Sequence, residues 1–416
     1  MTMSRRNFLA WSASIAASSG LNACNGLRAS ATTAPDQPPE THTATATAAP
    51  GSAALPPQPA KPPTSDRVLV VVQLSGGNDG LNTLIPVDGR YHDLRPTIGI
   101  PDDKLVKFPG QPEYGLHPAF APLQDLLNVG HVAAVASVGY PAASRSHFLS
   151  LDNLWSATPG KVSQTGWLGR YLDATGGTTN SPLRAVALGS GVPALRGIES
   201  RPTVVISPET FSIRDATDPG SALLEGWKLI GGPNAVATIE AVDVFQALNV
   251  KAAAAAVTTS ADGDLTRALV LAAEMIIAKT AARVIHINVG GFDTHANQLD
   301  TQARLLGDLV GGLKHFTDRL AAAGMADTAL VVTTSEFGRR AQENGGGTDH
   351  GKASVEFLVG PMVKGGVTGE IDLVNLDDGD LRAEIDFRSI YTSAIDWLGG
   401  PSQEVLFGSF EPVGLA

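Results

Sequence analysis

Three times in this chain a run of β-branched and apolar residues stops at a short cluster of acids, histidines and glycines. Val68 to Leu74 runs into Ser75-Gly76-Gly77-Asn78-Asp79-Gly80. Arg283 to Val289 runs into Gly290-Gly291-Phe292-Asp293-Thr294-His295. Ala329 to Thr334 runs into Ser335-Glu336-Phe337-Gly338, with Gly347-Thr348-Asp349-His350-Gly351 close behind. Short apolar runs bounded by turn residues predict buried parallel strands. An open α/β sheet binds ligands at the carboxyl ends of its strands. Three strand ends are therefore expected to bring Asp79, Asp293, His295, Glu336 and His350 to one sheet edge. Carboxylates and imidazoles converging in this way suit a divalent metal.

The first 65 residues have a different character. Ser4-Arg5-Arg6-Asn7-Phe8-Leu9 is a twin-arginine export signature, and a weakly apolar stretch over 10–21 follows it. That stretch suits a signal segment and is too short for a permanent span. Residues 1–30 are assigned to the signal, with the export machinery as partner and the periplasm or cell envelope as destination. The single cysteine, Cys24, stands directly after this segment in Leu21-Asn22-Ala23-Cys24. Two readings of it stand side by side. One is a lipidation site, for which Asn22 fits poorly; the other is simple cleavage near Ala29-Ser30-Ala31, giving a soluble periplasmic protein. Residues 25–65 are rich in Ala, Thr and Pro and poor in large apolar side chains, the composition of a disordered tether. A second cysteine is absent, so the body has no internal disulfide.

The remainder, 66–416, is long enough for one large α/β domain. A formal charge of −11 and the lack of a basic run argue against a nucleic-acid partner. No further stretch reaches membrane-spanning length, so a membrane link would come only through Cys24. Strands are predicted at 68–74, 132–137, 283–289, 329–334 and 354–359. Helices are predicted at 119–128, 146–155, 265–282, 299–323 and 387–398. Helices alternating with strands predict a doubly wound, mostly parallel sheet sandwiched by helices. The stretch 184–262, with short strands at 185–188 and 203–206, is less regular and is expected to be a small insertion or cap.

Six segments in order resemble a bacterial family, domain of unknown function 1501. They are Ser75 to Thr83, Leu116-His117-Pro118, Ser144-Arg145-Ser146-His147-Phe148, Gly291 to His295, Ser335 to Arg339 and Gly347 to Gly351. That family is in turn similar to the alkaline phosphatase and sulfatase superfamily, which hydrolyses phosphate or sulfate esters at one or two metals. The resemblance implies a zinc or manganese site in which Asp79 and Glu336 share one ion, while Asp293, His295 and His350 hold another. It also implies a nucleophile at a helix N-terminus, where the dipole favours an anion. Ser146 occupies that place, with Ser144 as second choice.

The chain departs from the superfamily pattern at two points. Where the superfamily usually has Asp-His, this chain has Glu336-Phe337, and phenylalanine cannot ligate. If Arg145 matches the sulfatase arginine, the position four residues before it is Pro141, which excludes formylglycine chemistry.

Each candidate also has a plainer structural role. Asp79 could close a turn, and Glu336 could balance a helix dipole. Arg145 and Arg339 could grip an anionic ester or glycan, or be engaged in ion pairs. Asp349 could orient His350. His147 could orient the nucleophile loop or ligate a metal, and His117 reads as a loop histidine. His286, in mid-strand, reads as structural. Two functions follow: an exported metal-dependent ester hydrolase, or a non-catalytic anion- or glycan-binding or partner protein with a degenerate metal site.

Overall fold

The computed structural model describes residues 66–178, 181–190, 193–205 and 263–415, with a few isolated positions between 226 and 239. The signal segment, Cys24, the tether to residue 65 and most of 206–262 lie outside the described residues. Among the described residues, no helix is long and apolar enough to cross a membrane.

In chain order the strands are β1 (Val68–Leu74), β2 (Leu84–Pro86), β3 (Val106–Lys107), β4 (Tyr114–Leu116), β5 (Val132–Gly139) and β6 (Ala185–Leu188). They continue as β7 (Thr203–Val205), β8 (Val284–Val289), β9 (Ala329–Thr334), β10 (Ser354–Val359), β11 (Gly366–Thr368) and β12 (Ile385–Asp386). The main sheet has the order β11-β5-β10-β9-β1-β8-β6-β7, with β12 also paired to β5. Strands β2, β4 and β3 form a separate small sheet.

β1 is the centre of the main sheet, parallel to β8 on one side and β9 on the other. Alternation along it feeds both faces. Val68, Val70, Val72 and Leu74 enter one core, with the helices Asp264–Ile277 and Gln298–Ala322. Leu69 and Val71 enter the other, with the helices Trp167–Ala174 and Phe387–Trp397. A period-2 strand buried on both faces is the physical basis of the doubly wound sandwich.

Topology explains why so much chemistry collects at one edge. β1, β8 and β9 are mutually parallel, so their exits share a side. β10 runs antiparallel to both β9 and β5. β5 therefore has the same sense as β9, and its exit toward residue 147 lies on that side too. The reversed β10 begins there, which brings in the loop that precedes it.

Several elements differ from the sequence expectation. β10 is antiparallel because 335–353 contains no crossover helix to return the chain to the far edge. The stretch expected as one helix over 119–128 is a 3-10 turn, Pro118–Leu123, followed by a short α-helix, Gln124–Asn128; Pro122 has no N–H to continue the ladder. The helix expected to reach 282 ends at Ile277, with Lys279 and Ala281 in left-handed conformation. β6 and β7 extend the edge of the main sheet, so the first part of 184–262 belongs to the sheet and not to a cap.

Glu356 lies inside the sheet, fully buried, where it accepts hydrogen bonds from the Thr333 hydroxyl at 2.9 Å and the Ser335 N–H at 2.9 Å. Burial pushes its carboxyl up from 4.5 to about 8, against the smaller lowering effect of those bonds. Above about pH 5 the unfolded chain has lost this proton while the folded protein still holds it. Stability should therefore decline as pH rises from about 5 to about 8, by an amount on the order of a few kcal/mol. Glu356→Gln should flatten that decline in urea unfolding series, and an unchanged slope would refute the neutral carboxyl.

Candidate metal centre

The turn after β1 is built from glycines for a steric reason. Gly76, at φ 122°, lies against the backbone of Phe292 and Asp293, where a Cβ would collide. Gly77, at φ 81°, gives its space to the ring of Phe337. The exits of β1, β8 and β9 can thus touch.

Arg339 locks them in place. It is 1% exposed. Nε donates to the Gly77 carbonyl at 2.7 Å and Nη1 to the Thr348 carbonyl at 2.9 Å. Nη2 donates to the Phe292 carbonyl at 2.9 Å, to Asp293 Oδ1 at 2.8 Å and to the Gly76 carbonyl. One guanidinium thereby joins three strand exits and the loop before β10.

Around Asp293 three imidazoles converge. His295 Nε2 and His350 Nε2 each stand 3.0 Å from Asp293 Oδ1 and 3.1 Å from one another. His147 Nε2 is 3.7 Å from Asp293 Oδ2. The ligating atoms of His147, Asp293 and His350 all lie within 4.8 Å of one another.

In each ring Nδ1 faces an oxygen that can accept its proton. His350 Nδ1 donates to the Arg145 carbonyl at 2.9 Å, His295 Nδ1 to Asp349 at 3.1 Å, and His147 Nδ1 to Glu336 Oε1 at 2.8 Å. The neutral tautomer in every case leaves the Nε2 lone pair aimed at Asp293. Imidazoles that ligate metals are oriented in this way, by a carboxylate or carbonyl behind the ring.

Charge follows the same geometry. Burial alone would raise the Asp293 carboxyl, but the hydrogen bond from Arg339, together with one from His350 when its Nε2 carries the proton, outweighs it and holds it down at about 2. The hydrogen bond to Glu336 raises the His147 imidazole, against partial desolvation. Asp349 is lowered by hydrogen bonds from Asn344 and His295.

The sequence candidates therefore separate. Asp293, His295 and His350 come together, and Glu336 stands behind His147. Asp79 stands apart in a buried network. Its Oδ1 caps the turn at the N–H groups of Leu81 and Asn82, and its Oδ2 pairs with Arg95 at 2.5 Å and accepts from Gln298.

The Arg145 guanidinium lies on Asp380 at 2.5 Å and Asp378 at 2.9 Å, so it does not face the cluster; only its carbonyl reaches His350. The hydrogen bonds it donates to Asp380 and Asp378 raise its pKa.

Ser146 is the N-cap of the helix His147–Ser156, and its hydroxyl makes no capping bond. The Ser144 hydroxyl accepts from the Ser146 N–H at 3.1 Å and so belongs to the loop's own structure. His286 is fully buried, and desolvation lowers it to about 3, as a structural mid-strand histidine requires. His117 caps the turn at Ala119. Arg95 and Gln298 were not singled out by sequence; a lone arginine and glutamine without periodic context offered no signal.

Residues 128–403 match the family described as "Protein of unknown function (DUF1501)", and the chain belongs to that family. No curated protein matches it. Similar solved structures include a protein in the alkaline phosphatase superfamily from Vibrio parahaemolyticus, at 9% identity over 85% of this chain and 72% of that one, TM-score 0.42. The lipoteichoic acid synthase LtaP from Listeria monocytogenes matches at 10% identity over 83% and 75%, TM-score 0.40. The phosphonate monoester hydrolase SpPMH from Silicibacter pomeroyi matches at 10% over 83% and 76%, TM-score 0.35. Residue roles here follow from this chain's own geometry.

Arg339→Ala should strip five hydrogen bonds, four of them buried, and leave Asp293 without its buried cation. A loss of about 3–5 kcal/mol is expected in chemical denaturation. Arg339→Lys should recover little of it, because an ammonium cannot reproduce the planar fork. A change below 1 kcal/mol would show that the strand exits hold together without it.

Proposed function

We propose that this chain is an exported metal-dependent hydrolase of phosphate or sulfate esters. The observation that carries this reading is the triangle formed by Asp293 Oδ1, His295 Nε2 and His350 Nε2, with sides of 3.0, 3.0 and 3.1 Å. Two lone-pair-bearing nitrogens and a carboxylate oxygen repel one another unless a proton or a metal cation stands among them. Ligands about 2.0–2.1 Å from a tetrahedral zinc are roughly 3.3–3.4 Å apart, close to this spacing. The donor set fits zinc, and manganese accepts the same nitrogen and oxygen types. A bound divalent ion would supply Lewis-acid stabilisation of the negative charge on the transferring group.

The protein's own groups supply the rest. Ser146 lies between Arg145, whose carbonyl holds His350, and His147, whose ring reaches Asp293. Its hydroxyl is free of capping duty at the start of a ten-residue helix, where N–H groups favour an anion. In the first half-reaction the Ser146 Oγ bonds to phosphorus or sulfur as the ester's alcohol oxygen leaves, and the serine proton ends on that alcohol. Water then releases the acid and restores the hydroxyl.

A second reading, anion or glycan binding without turnover, is favoured by one observation. The guanidiniums of Arg145 and Arg339 are both engaged within the protein.

Ser146→Ala should lower turnover of an aryl phosphate or aryl sulfate by at least about a hundredfold while metal stays bound. A panel of monoesters, diesters and sulfates that wild type does not hydrolyse with any added metal would move the assignment to binding. Activity lost in Ser144→Ala instead would name the other serine.

Export rests on Arg5 and Arg6. Replacing both with lysine should hold the precursor in the cytoplasm, as seen by cell fractionation. Palmitate labelling of wild type, absent in Cys24→Ser, would establish a lipid anchor; unlabelled soluble wild type would establish simple cleavage.

A further inference from the structure

We infer that the centre takes a single ion held by four side chains, with His147 as the fourth donor, and that the half-site at Asp79 and Glu336 takes none. The inference rests on the metal-dependent reading above and fixes its stoichiometry and ligand set.

At Asp79 all acceptor capacity is engaged. Oδ1 receives two backbone N–H groups, and Oδ2 receives Arg95 and Gln298. The side chains of Asp79 and Arg95 are 1% and 0% exposed. Arg95 cannot swing away cheaply, because it also donates to the carbonyls of Ala341 and Arg340 and to Asn82. A divalent ion here would have to displace a buried guanidinium and leave it uncompensated.

Phe337 packs between the turn after β1 and the histidines. Its ring fills the space over Gly77 and packs on His147 and His350, with centroids 4.8 and 4.6 Å apart. It is 2% exposed, an apolar wedge where a second ion would need a donor.

Glu336 is committed through one oxygen. Its Oε1 accepts both the Gly76 N–H and His147 Nδ1–H, each at 2.8 Å. Its Oε2 is buried without a partner among the described residues, and Glu336 lines a largely apolar cavity of about 20 Å³, enough for one water molecule. Glu336 therefore acts behind the imidazole.

What remains is His147, whose Nε2 points at Asp293 and whose ring meets His350 edge-on at 4.4 Å. Its backing carboxylate matches the role of Asp349 behind His295, so all three histidines share one construction. Three imidazoles and one carboxylate complete a four-coordinate site for zinc or cobalt.

The test is metal binding by the whole mature protein, freed of metal by chelation and titrated with Zn²⁺ and Co²⁺. Wild type should bind one equivalent, and the cobalt form should show the intense visible absorption of a four-coordinate site. His147→Ala should weaken binding at least about a hundredfold and shift that spectrum, and Glu336→Gln should weaken it about tenfold. Asp79→Asn should leave the single equivalent in place wherever near-ultraviolet circular dichroism shows native folding. The wild-type stoichiometry decides the matter if that variant does not fold. Two equivalents in wild type, or His147→Ala binding with wild-type affinity and spectrum, would overturn the inference. No bound metal at all would overturn both this inference and the metal-dependent reading. One equivalent without ester hydrolysis would leave the inference standing and remove only the hydrolase.

Discussion

The strand-exit edge of this protein hangs on one guanidinium. Arg339 is buried, and its donors reach carbonyls at 76, 77, 292 and 348 together with Asp293. Parallel strands give their exits a common side, but they do not bring those exits into contact. A planar fork with five donors does, because it can satisfy carbonyls from several loops at once and still hold a carboxylate. The same contact keeps Asp293 ionised, so the scaffold that positions the carboxylate also fixes its charge. Stability and site electrostatics are thus one interaction seen from two sides.

Around Asp293 the protein repeats one device three times: an imidazole with its outer nitrogen tied to oxygen and its inner nitrogen aimed at a common point. The backing groups come from different places, a strand exit, a loop aspartate and a backbone carbonyl. Convergence on the same arrangement from three sources is the orientation that metal-ligating imidazoles require. The Asp79 side shows the opposite design. There a carboxylate of the kind that could ligate is neutralised by Arg95 and used to cap a turn. Phe337 packs its ring between the turn after β1 and His147.

The fold was largely legible from the chain. Buried strands at 68–74, 329–334 and 354–359 were marked by runs rich in Val and Leu stopping at Ser75-Gly76, Ser335-Glu336 and Gly360, and the structure has them at those bounds. Long amphipathic helices were equally clear, with Gln298–Ala322 within a residue of its expected limits. Less was visible where local rules compete. Pro122 broke a helix that periodicity favoured, and β10 took the antiparallel direction because the loop before it contains no helix.

For the site, sequence determined which residue types stand at the strand exits, since each exit is coded by contiguous residues such as Asp293 to His295. It could not determine which exits share a pocket. Asp79 and Asp293 look alike along the chain, each following an apolar run and glycines. Their different roles are set by Arg95 and Arg339, which lie 16 and 46 residues away and carry no local mark of their partners. The sequence left His147 between orienting the nucleophile loop and ligating a metal; it stands beside Asp293 because β5 and β9 share a direction on either side of the antiparallel β10. Local sequence fixes strands and turns because those depend on neighbours in the chain. Charge pairing and ligand convergence depend on neighbours in space, and those only the tertiary structure supplies.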